Sequence, residues 1–205
     1  MNSSISKVYV VDDDIALCEA LRWLLEPLHL VVETFSHPIA FLEAYQLDWK
    51  GCILLDIRMP EMGGLQLQNK LIAKGNRLPI IMLSGHSDVA IAVMAMKAGA
   101  MDFITKPFSE QILLEQTQKA MEISHQQQSD YKIIKNYQSL TSREKEVMKG
   151  IVEGKKNKII AHNLNLSQKT VELHRSTLMR KMQAKNLVEL VKMSLLIDLH
   201  ISKCI

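Results

Sequence analysis

Residues 8–124 alternate between short apolar runs and longer stretches with apolar residues at helical spacing, and this limits the possible folds most. The short runs are typical of buried strands and the longer stretches of amphipathic helices. Strict alternation predicts a parallel sheet with helices on both faces and right-handed crossovers. At this length we expect a flavodoxin-like, doubly wound (βα)5 α/β domain. The predicted strands are residues 8–11, 30–35, 51–56, 78–84 and 102–105.

The helices predicted between these strands have recognisable ends. Pro27 ends the first helix, Gly75 and Gly99 close the third and fourth, and Glu110 lies in the first turn of the fifth. The predicted ranges are residues 15–26, 37–47, 63–74, 87–98 and a stretch that begins near Ser109.

The strand patterns stop at Leu140. Thr141 and Glu144 form a capping box, which is typical of a helix N-terminus. A short helix, a tight turn and a longer basic helix then follow, an order typical of a helix-turn-helix. We therefore expect a small all-α domain of four helices. After the helix that Thr141 caps, the predicted helices are residues 158–164, residues 168–182 and a stretch from Asn186.

The residues between the two patterns are polar and lack apolar periodicity, as in His125-Gln126-Gln127-Gln128-Ser129-Asp130. They predict a linker, which we expect to be helical. The predicted organisation is a first domain over 1–124, a linker over 125–138 and a helix-turn-helix domain over 139–205.

The formal charge differs between the two parts of the chain. Residues 1–124 carry 10 Lys and Arg against 15 Asp and Glu, whereas residues 139–205 carry 13 against 6. A basic second part favours a polyanionic partner such as nucleic acid. The alternative is an ordinary basic surface in contact with solvent.

Hydropathy and cysteine content predict a protein of the reducing cytoplasm. No apolar run approaches the roughly 18 residues of a membrane span, and the first residues lack the apolar region of a signal peptide. The cysteines are Cys18, Cys52 and Cys204, which are odd in number and lack metal-ligand spacing. We expect no membrane partner.

Polar side chains occur where four of the predicted strands end, and parallel strands bring such ends to one edge of the sheet. Clustered carboxylates favour a divalent cation, and hard oxygen ligands suit Mg²⁺. A carboxylate can attack a phosphoryl group, while an amine and a hydroxyl stabilise its oxygens. The side chains concerned are Asp12, Asp13, Asp56, Ser84 and Lys106.

Each of these residues also has a simpler interpretation. Asp56 alone could be a loop aspartate that satisfies a turn. Asp14, next to the acidic pair, is better explained as a helix cap than as a metal ligand, and His86 as a residue at a helix start than as a base.

Four motifs, in order along residues 5–124, together resemble a bacterial response-regulator receiver domain. The motifs are Val10-Val11-Asp12-Asp13, Leu55-Asp56-Ile57-Arg58-Met59-Pro60, Ser84-Gly85-His86 and Thr105-Lys106-Pro107-Phe108. The resemblance implies that Asp56 is the phosphoacceptor. It also implies that Mg²⁺ is held by Asp12, Asp13, Asp56 and the backbone carbonyl of Arg58.

The same resemblance implies a conformational switch near the phosphoacceptor. Ser84 would be the switch hydroxyl, in place of the more common threonine. Phe103 would be the aromatic switch residue, and it cannot donate the hydrogen bond of a tyrosine. Lys106 would bind the phosphoryl group, and the Lys106–Pro107 peptide bond is expected to be cis.

Residues 139–200 resemble the LuxR-type helix-turn-helix, and the whole chain is similar to FixJ-like or NarL-like two-component regulators. The motifs are Leu140-Thr141-Ser142-Arg143-Glu144, Asn157-Lys158-Ile159-Ile160-Ala161 and Ser167-Gln168-Lys169-Thr170-Val171-Glu172-Leu173-His174-Arg175. The resemblance places base or nearby phosphate contacts at one group of residues and backbone contacts at a second. The first group is Lys169, Glu172, Leu173, Arg175 and Ser176; the second is Thr170 and Lys181. Glu172 departs from the lysine of some relatives and could accept a hydrogen bond from cytosine N4.

The resemblance implies a transcription factor that is activated when a sensor histidine kinase phosphorylates Asp56. Mg²⁺-dependent autophosphorylation and autodephosphorylation would be its only enzymatic activities. Phosphorylation would favour a homodimer or release the DNA-binding domain. The expected partners are the kinase, promoter double-stranded DNA, a second copy of the chain and, as a further candidate, RNA polymerase.

Two other classes of function stay open from the residues. A haloacid-dehalogenase-type phosphatase places two aspartates two residues apart, as Asp12 and Asp14 are, but Ala16 replaces its usual Thr or Val. The other alternative is a receiver-like binding module that is never phosphorylated.

Overall fold

A computed structural model describes residues 6–86 and 89–202. The chain divides into two compact units, Met1–Gln128 and Ser129–Ile205. The predicted start of the fourth helix at residues 87 and 88, and Cys204, lie outside the described residues.

The first unit contains a five-stranded sheet in which every strand pair is parallel. The strand order is β2-β1-β3-β4-β5, which confirms the predicted doubly wound α/β fold. The strands are β1 (Lys7–Val11), β2 (Val31–Phe35), β3 (Gly51–Asp56), β4 (Ile80–Ser84) and β5 (Asp102–Thr105).

Helices follow the strands as the apolar spacing predicts. Asp14 accepts a hydrogen bond from the backbone N of Leu17 and caps the first helix, which confirms its predicted role. A 3₁₀ turn over Glu26–Leu28 contains Pro27 where that helix ends. The helices are α1 (Ile15–Leu25), α2 (Pro38–Ala44), α3 (Gly64–Ala73), α4 (Val89–Lys97) and α5 (Glu110–Gln138).

The core of this unit lies on both faces of the sheet because successive strand residues point to opposite sides. In β1, Tyr9 and Val11 belong to one apolar cluster, whereas Val8 and Val10 belong to the other. All six residues of β3 are buried, as its continuous apolar sequence predicts for a central parallel strand.

Helix α5 includes residues 125–138. Further helices follow it in the described part of the second unit. The predicted capping box is present: Thr141 Oγ1 accepts from Glu144 N, and Glu144 accepts from Thr141 N. An apolar core forms between the helices, with Val147, Val171 and Leu178 fully buried. The helices are α6 (Ser142–Val152), α7 (Asn157–Leu164), α8 (Gln168–Met182) and α9 (Leu187–Ser202).

Among the helices of residues 6–86 and 89–202, none has both the length and the apolar character needed to cross a membrane.

Candidate functional site

The strand order brings the predicted phosphoacceptor chemistry to one edge of the sheet. Neighbouring strands β1 and β3 are in register from Lys7 with Gly51 to Val11 with Leu55, so Asp12 and Asp56 follow paired positions. Ser84 ends β4, and Lys106 comes directly after β5. All these ends are carboxyl ends, where open α/β sheets form their sites.

Lys106 joins the two buried carboxylates. Its Nζ atom lies 2.6 Å from Asp12 Oδ2 and 2.5 Å from Asp56 Oδ1. Asp12 is only 1% exposed and Asp56 only 5%. Carboxylates this close repel each other in a poorly solvated site, and the ammonium group between them offsets that repulsion.

A third carboxylate completes an acidic cluster. Oxygen atoms of Asp12, Asp13 and Asp56 all lie within 4.8 Å of one another, and Asp13 is exposed to solvent. The structure thus brings together three of the predicted metal-ligating residues. The fourth predicted ligand, the carbonyl of Arg58, stays a prediction; the backbone N of that residue donates to Asp56 Oδ2 at 2.6 Å.

Burial and hydrogen bonding act in opposite directions on the pKa values of Asp12 and Lys106. Burial raises the pKa of Asp12 above its ordinary value, although hydrogen bonds from Lys106 and the Asp14 backbone oppose that change. Burial alone would lower the pKa of Lys106, but its hydrogen bonds to Asp12 and Asp56 outweigh it and raise the pKa. Lys106 therefore stays cationic at neutral pH.

The loop after β3 needs glycine for its path. The backbone N of Gly64 donates to the carbonyl of Ile57 at 2.9 Å. A Cβ atom on Gly64 would lie 2.1 Å from the carbonyl oxygen of Asp56. The start of α3 therefore packs directly against the backbone of Asp56, a contact that the sequence patterns did not predict.

The two predicted switch residues lie on neighbouring strands. Ser84 is 2% exposed, and its hydroxyl donates to the carbonyl of His86 at 2.8 Å. Phe103 is partly buried and packs against the core cluster on one face of the sheet. The Lys106–Pro107 peptide bond is cis, as the resemblance implied.

In the second unit, α8 presents most of the predicted DNA-contacting side chains to solvent. Ser167 caps the helix by accepting from the backbone N of Thr170 at 3.0 Å. Thr170 and Arg175 are half-buried. The exposed members of the predicted set are Lys169, Glu172, Leu173 and Ser176.

Two cations of the predicted set have partners within the second unit. Lys181 Nζ lies 2.7 Å from Oε2 of the buried Glu144. Arg175 Nη1 donates to Oδ1 of Asn157, the first residue of α7, at 3.2 Å. Neither contact follows from the sequence patterns, which show Glu144 only as a cap, because both contacts join residues of different helices.

Comparison with known proteins agrees with both parts of the chain. The family model of the response regulator receiver domain matches residues 8–118. The family model of the bacterial regulatory proteins of the luxR family matches residues 138–194. This chain belongs to the response regulators with a LuxR-type DNA-binding domain. Membership implies a kinase phosphodonor and a DNA target, and the regulator acts in transcription rather than as a conventional enzyme.

Relatives resemble the regulator over nearly its whole length. The response regulator protein TodT of Pseudomonas putida is 42% identical over 95% of this chain and 87% of its own. The transcriptional regulatory protein FixJ of Azorhizobium caulinodans is 41% identical over 92% of each chain.

Solved structures of two response regulators agree with the fold. A low-resolution structure of the response regulator StyR has a TM-score of 0.72 and 36% identity, covering 93% of this chain and 98% of that one. Full-length FixJ from B. japonicum has a TM-score of 0.58 and 36% identity, covering 95% and 98%.

Proposed function

We propose that the regulator controls transcription through phosphorylation of Asp56 by a sensor histidine kinase. The observation that carries the proposal is the Lys106 ammonium group between the Asp12 and Asp56 carboxylates. This arrangement places a cation beside a nucleophilic carboxylate, where phosphoryl oxygens would arrive.

The donor atoms of the acidic cluster fit Mg²⁺. Carboxylate oxygens of Asp12, Asp13 and Asp56 are hard ligands within 4.8 Å of one another, and Asp13 leaves the site open to solvent. Mg²⁺ prefers such oxygens and retains positions for water and phosphate. The Arg58 carbonyl is proposed as a further ligand. When bound, the ion would neutralise charge on the phosphoryl oxygens.

Phosphoryl transfer needs little further chemistry from the protein. An oxygen of Asp56 would form the bond to phosphorus while the bond to the donor breaks, and the leaving group would keep that electron pair. Lys106 would then exchange a carboxylate contact for a phosphoryl oxygen. Hydrolysis of this phosphate by water would return Asp56 to its original state, so these reactions would be the regulator's only enzymatic activities.

The Ser84 hydroxyl is proposed to report the phosphate. It now donates to the His86 carbonyl, and it would turn to donate to a phosphoryl oxygen instead. Phe103 would repack as Ser84 moves, which changes the surface formed by α4, β5 and α5. That change would favour a homodimer or free the DNA-binding domain.

DNA recognition is proposed to fall to α8 and its surroundings, in the LuxR-type domain. We assign contacts to the predicted set: Lys169, Thr170, Glu172, Leu173, Arg175, Ser176 and Lys181.

The proposed domains are residues 1–124 and 139–205 with a linker over 125–138. We place the regulator in the cytoplasm with promoter DNA, its kinase and, as a further partner, RNA polymerase.

The phosphoacceptor proposal is tested with acetyl phosphate and Mg²⁺. We expect wild type and the control variant Asp48→Asn, an exposed aspartate outside the cluster, to gain one acid-stable, base-labile phosphate each. Asp56→Asn should gain none, because its amide cannot act as the nucleophile. Equal labelling of Asp56→Asn and wild type would refute the assignment.

A further inference from the structure

Arg175 occupies a different position on α8 from the other residues predicted to contact DNA. Glu172, Leu173 and Ser176 form an exposed face, and Leu173 is 67% exposed despite being apolar. The opposite side of the helix is buried in the core through Val171, Leu178 and Met182. Arg175 is half-buried, which places it on the flank between these two sides.

The guanidinium group of Arg175 is directed to the preceding helix. Its Nη1 atom donates to Asn157 Oδ1 at 3.2 Å, and Asn157 is the first residue of α7. The asparagine amide is neutral, so this hydrogen bond orients the guanidinium and leaves its charge available. Lys181 differs, because its ammonium group pairs with the carboxylate of Glu144.

In a helix-turn-helix, the start of the first helix and the exposed face of the second helix meet different parts of DNA. The second helix lies in the major groove, whereas the first helix crosses the sugar-phosphate backbone. A cation held at the start of the first helix therefore faces phosphates, and side chains on the exposed face of the second helix meet base edges. An apolar residue there can pack on the methyl group of thymine.

We propose that Arg175 contacts a DNA phosphate rather than a base, and that Asn157 is a positioning residue that orients it. Base recognition then falls to the exposed face with Glu172, Leu173 and Ser176. This inference deepens the DNA-binding function proposed for α8 and rests on it. It divides the predicted contact set into residues that anchor the regulator and residues that read sequence.

Phosphate and base contacts have different experimental signatures. Loss of a phosphate contact weakens binding to all sequences and reduces the salt dependence of the affinity. We expect Arg175→Ala to weaken binding roughly tenfold, as for loss of a charge-assisted hydrogen bond. The slope of log affinity against log salt should fall by about 0.9 for each bound protomer. Base preferences should not change.

The experiment uses the full-length chain with acetyl phosphate and Mg²⁺. The wild type first selects a duplex from a randomised library. This step tests the proposed DNA-binding function separately from the role of Arg175. Affinities for the selected duplex and a scrambled duplex are then measured at several salt concentrations. The variants are Asn157→Ala, Arg175→Ala, their combination and the control Asn163→Ala, which removes an exposed asparagine from the same helix.

We expect Asn157→Ala to weaken binding to both duplexes by about threefold, since it removes one neutral hydrogen bond. The same change should have no effect in the Arg175→Ala background, because Asn157 acts through that side chain. Asn163→Ala should bind as wild type does, and all variants should keep the wild-type midpoint of thermal unfolding.

Three outcomes would overturn the proposal. The first is a changed base preference at one position of a library selected by Arg175→Ala, which would make that arginine a base reader. The second is an equal loss of affinity from Asn157→Ala with and without Arg175. The third is an Asn157→Ala variant that binds as Asn163→Ala does.

Discussion

Lys181 and Glu144 form an ion pair within the second unit: Nζ of Lys181 lies 2.7 Å from Oε2 of Glu144, whose side chain is only 5% exposed. The same carboxylate oxygen accepts from the backbone N of Thr141 at 2.7 Å. One carboxylate thus completes the capping box of α6 and ties α6 to α8. Without Lys181, the Glu144 carboxylate would be buried with no cation beside it in this ion pair.

Removal of the Lys181 ammonium group should therefore destabilise the second unit. We expect Lys181→Met to lower the free energy of unfolding by about 1–3 kcal/mol, the usual cost of a lost charged hydrogen-bond partner at a buried group. Hydrogen exchange of peptides from α6 and α8 measures the change in the full-length chain. Lys185→Met, at an exposed lysine after α8, is the control. Equal protection of both variants would contradict a structural role for Lys181.

The stability of this unit should also depend on acidic pH through Glu144. Burial alone would raise the pKa of Glu144, but hydrogen bonds from Lys181 and Thr141 outweigh burial and hold it below the ordinary 4.5. A lowered native pKa stabilises the fold above the unfolded-state pKa, and that stabilisation is lost as pH falls through the native value. The protection factors of amides in α6, which are corrected for the intrinsic exchange rate at each pH, should therefore fall below about pH 4.5 in wild type.

Glu144→Gln removes the titrating group, so it should flatten the pH dependence of the protection factors in α6. Glu146→Gln changes an exposed carboxylate in the same helix and serves as the control. An equally steep fall of these protection factors on acidification in Glu144→Gln and wild type would show that another group is responsible.

Gly64 should be essential for the shape of the phosphoacceptor site. Its replacement by alanine would bring Cβ to 2.1 Å from the Asp56 carbonyl oxygen, so the loop after β3 must move. We expect Gly64→Ala to slow labelling by acetyl phosphate at least tenfold and to lower the unfolding free energy by about 1–3 kcal/mol, as overpacking does.

Gly85→Ala is the matched control, because an added Cβ there meets no atom within 4 Å in the described part of the chain. It should fold and accept phosphate as wild type does. If Gly64→Ala accepts phosphate at the wild-type rate, the start of α3 does not constrain Asp56 in the way the contact indicates.

Gln68 should restrain the C-terminal end of α4 but contribute little to the free energy of unfolding. Its buried side chain donates from Nε2 to the carbonyl of Ala95 at 3.0 Å, but Oε1 has no partner among the described residues. Gln68→Leu removes both the bond and the unsatisfied acceptor, so the unfolding free energy should change by less than about 1 kcal/mol.

The effect of Gln68→Leu should instead be local to α4. Hydrogen exchange of the amides at the C-terminal end of α4 should rise, since the bond to α3 is gone. The control is Gln66→Leu, at an exposed glutamine of the same helix. Unchanged exchange at the end of α4 would show that the Gln68 bond does not restrain that helix.

The sequence was sufficient for the sheet and for the edge that carries Asp56 because both follow from local patterns. β3 is a continuous apolar run that ends in Asp56, and parallel strands with right-handed crossovers place Asp12 and Lys106 beside it. The Asp14 cap and the Thr141 capping box are equally local. The described helices begin and end within three residues of the predicted bounds wherever a bound was stated.

Contacts between distant helices could not be predicted in the same way. Glu144 and Lys181, Asn157 and Arg175, and Gln68 and the Ala95 carbonyl each join side chains whose distance depends on how helices pack. Helical spacing shows which face of a helix is apolar, but it does not give the partner of a polar side chain on the flank of that face.

DNA affinity measured with and without phosphorylation of Asp56 tests the central claim most directly. The full-length wild type and Asp56→Asn are each titrated against a duplex selected by phosphorylated wild type, with and without acetyl phosphate and Mg²⁺. We predict that the phosphodonor raises the affinity of wild type at least tenfold and leaves that of Asp56→Asn unchanged. Equal affinity of wild type in both conditions, with the phosphate on Asp56 confirmed by labelling, would contradict phosphorylation control of DNA binding.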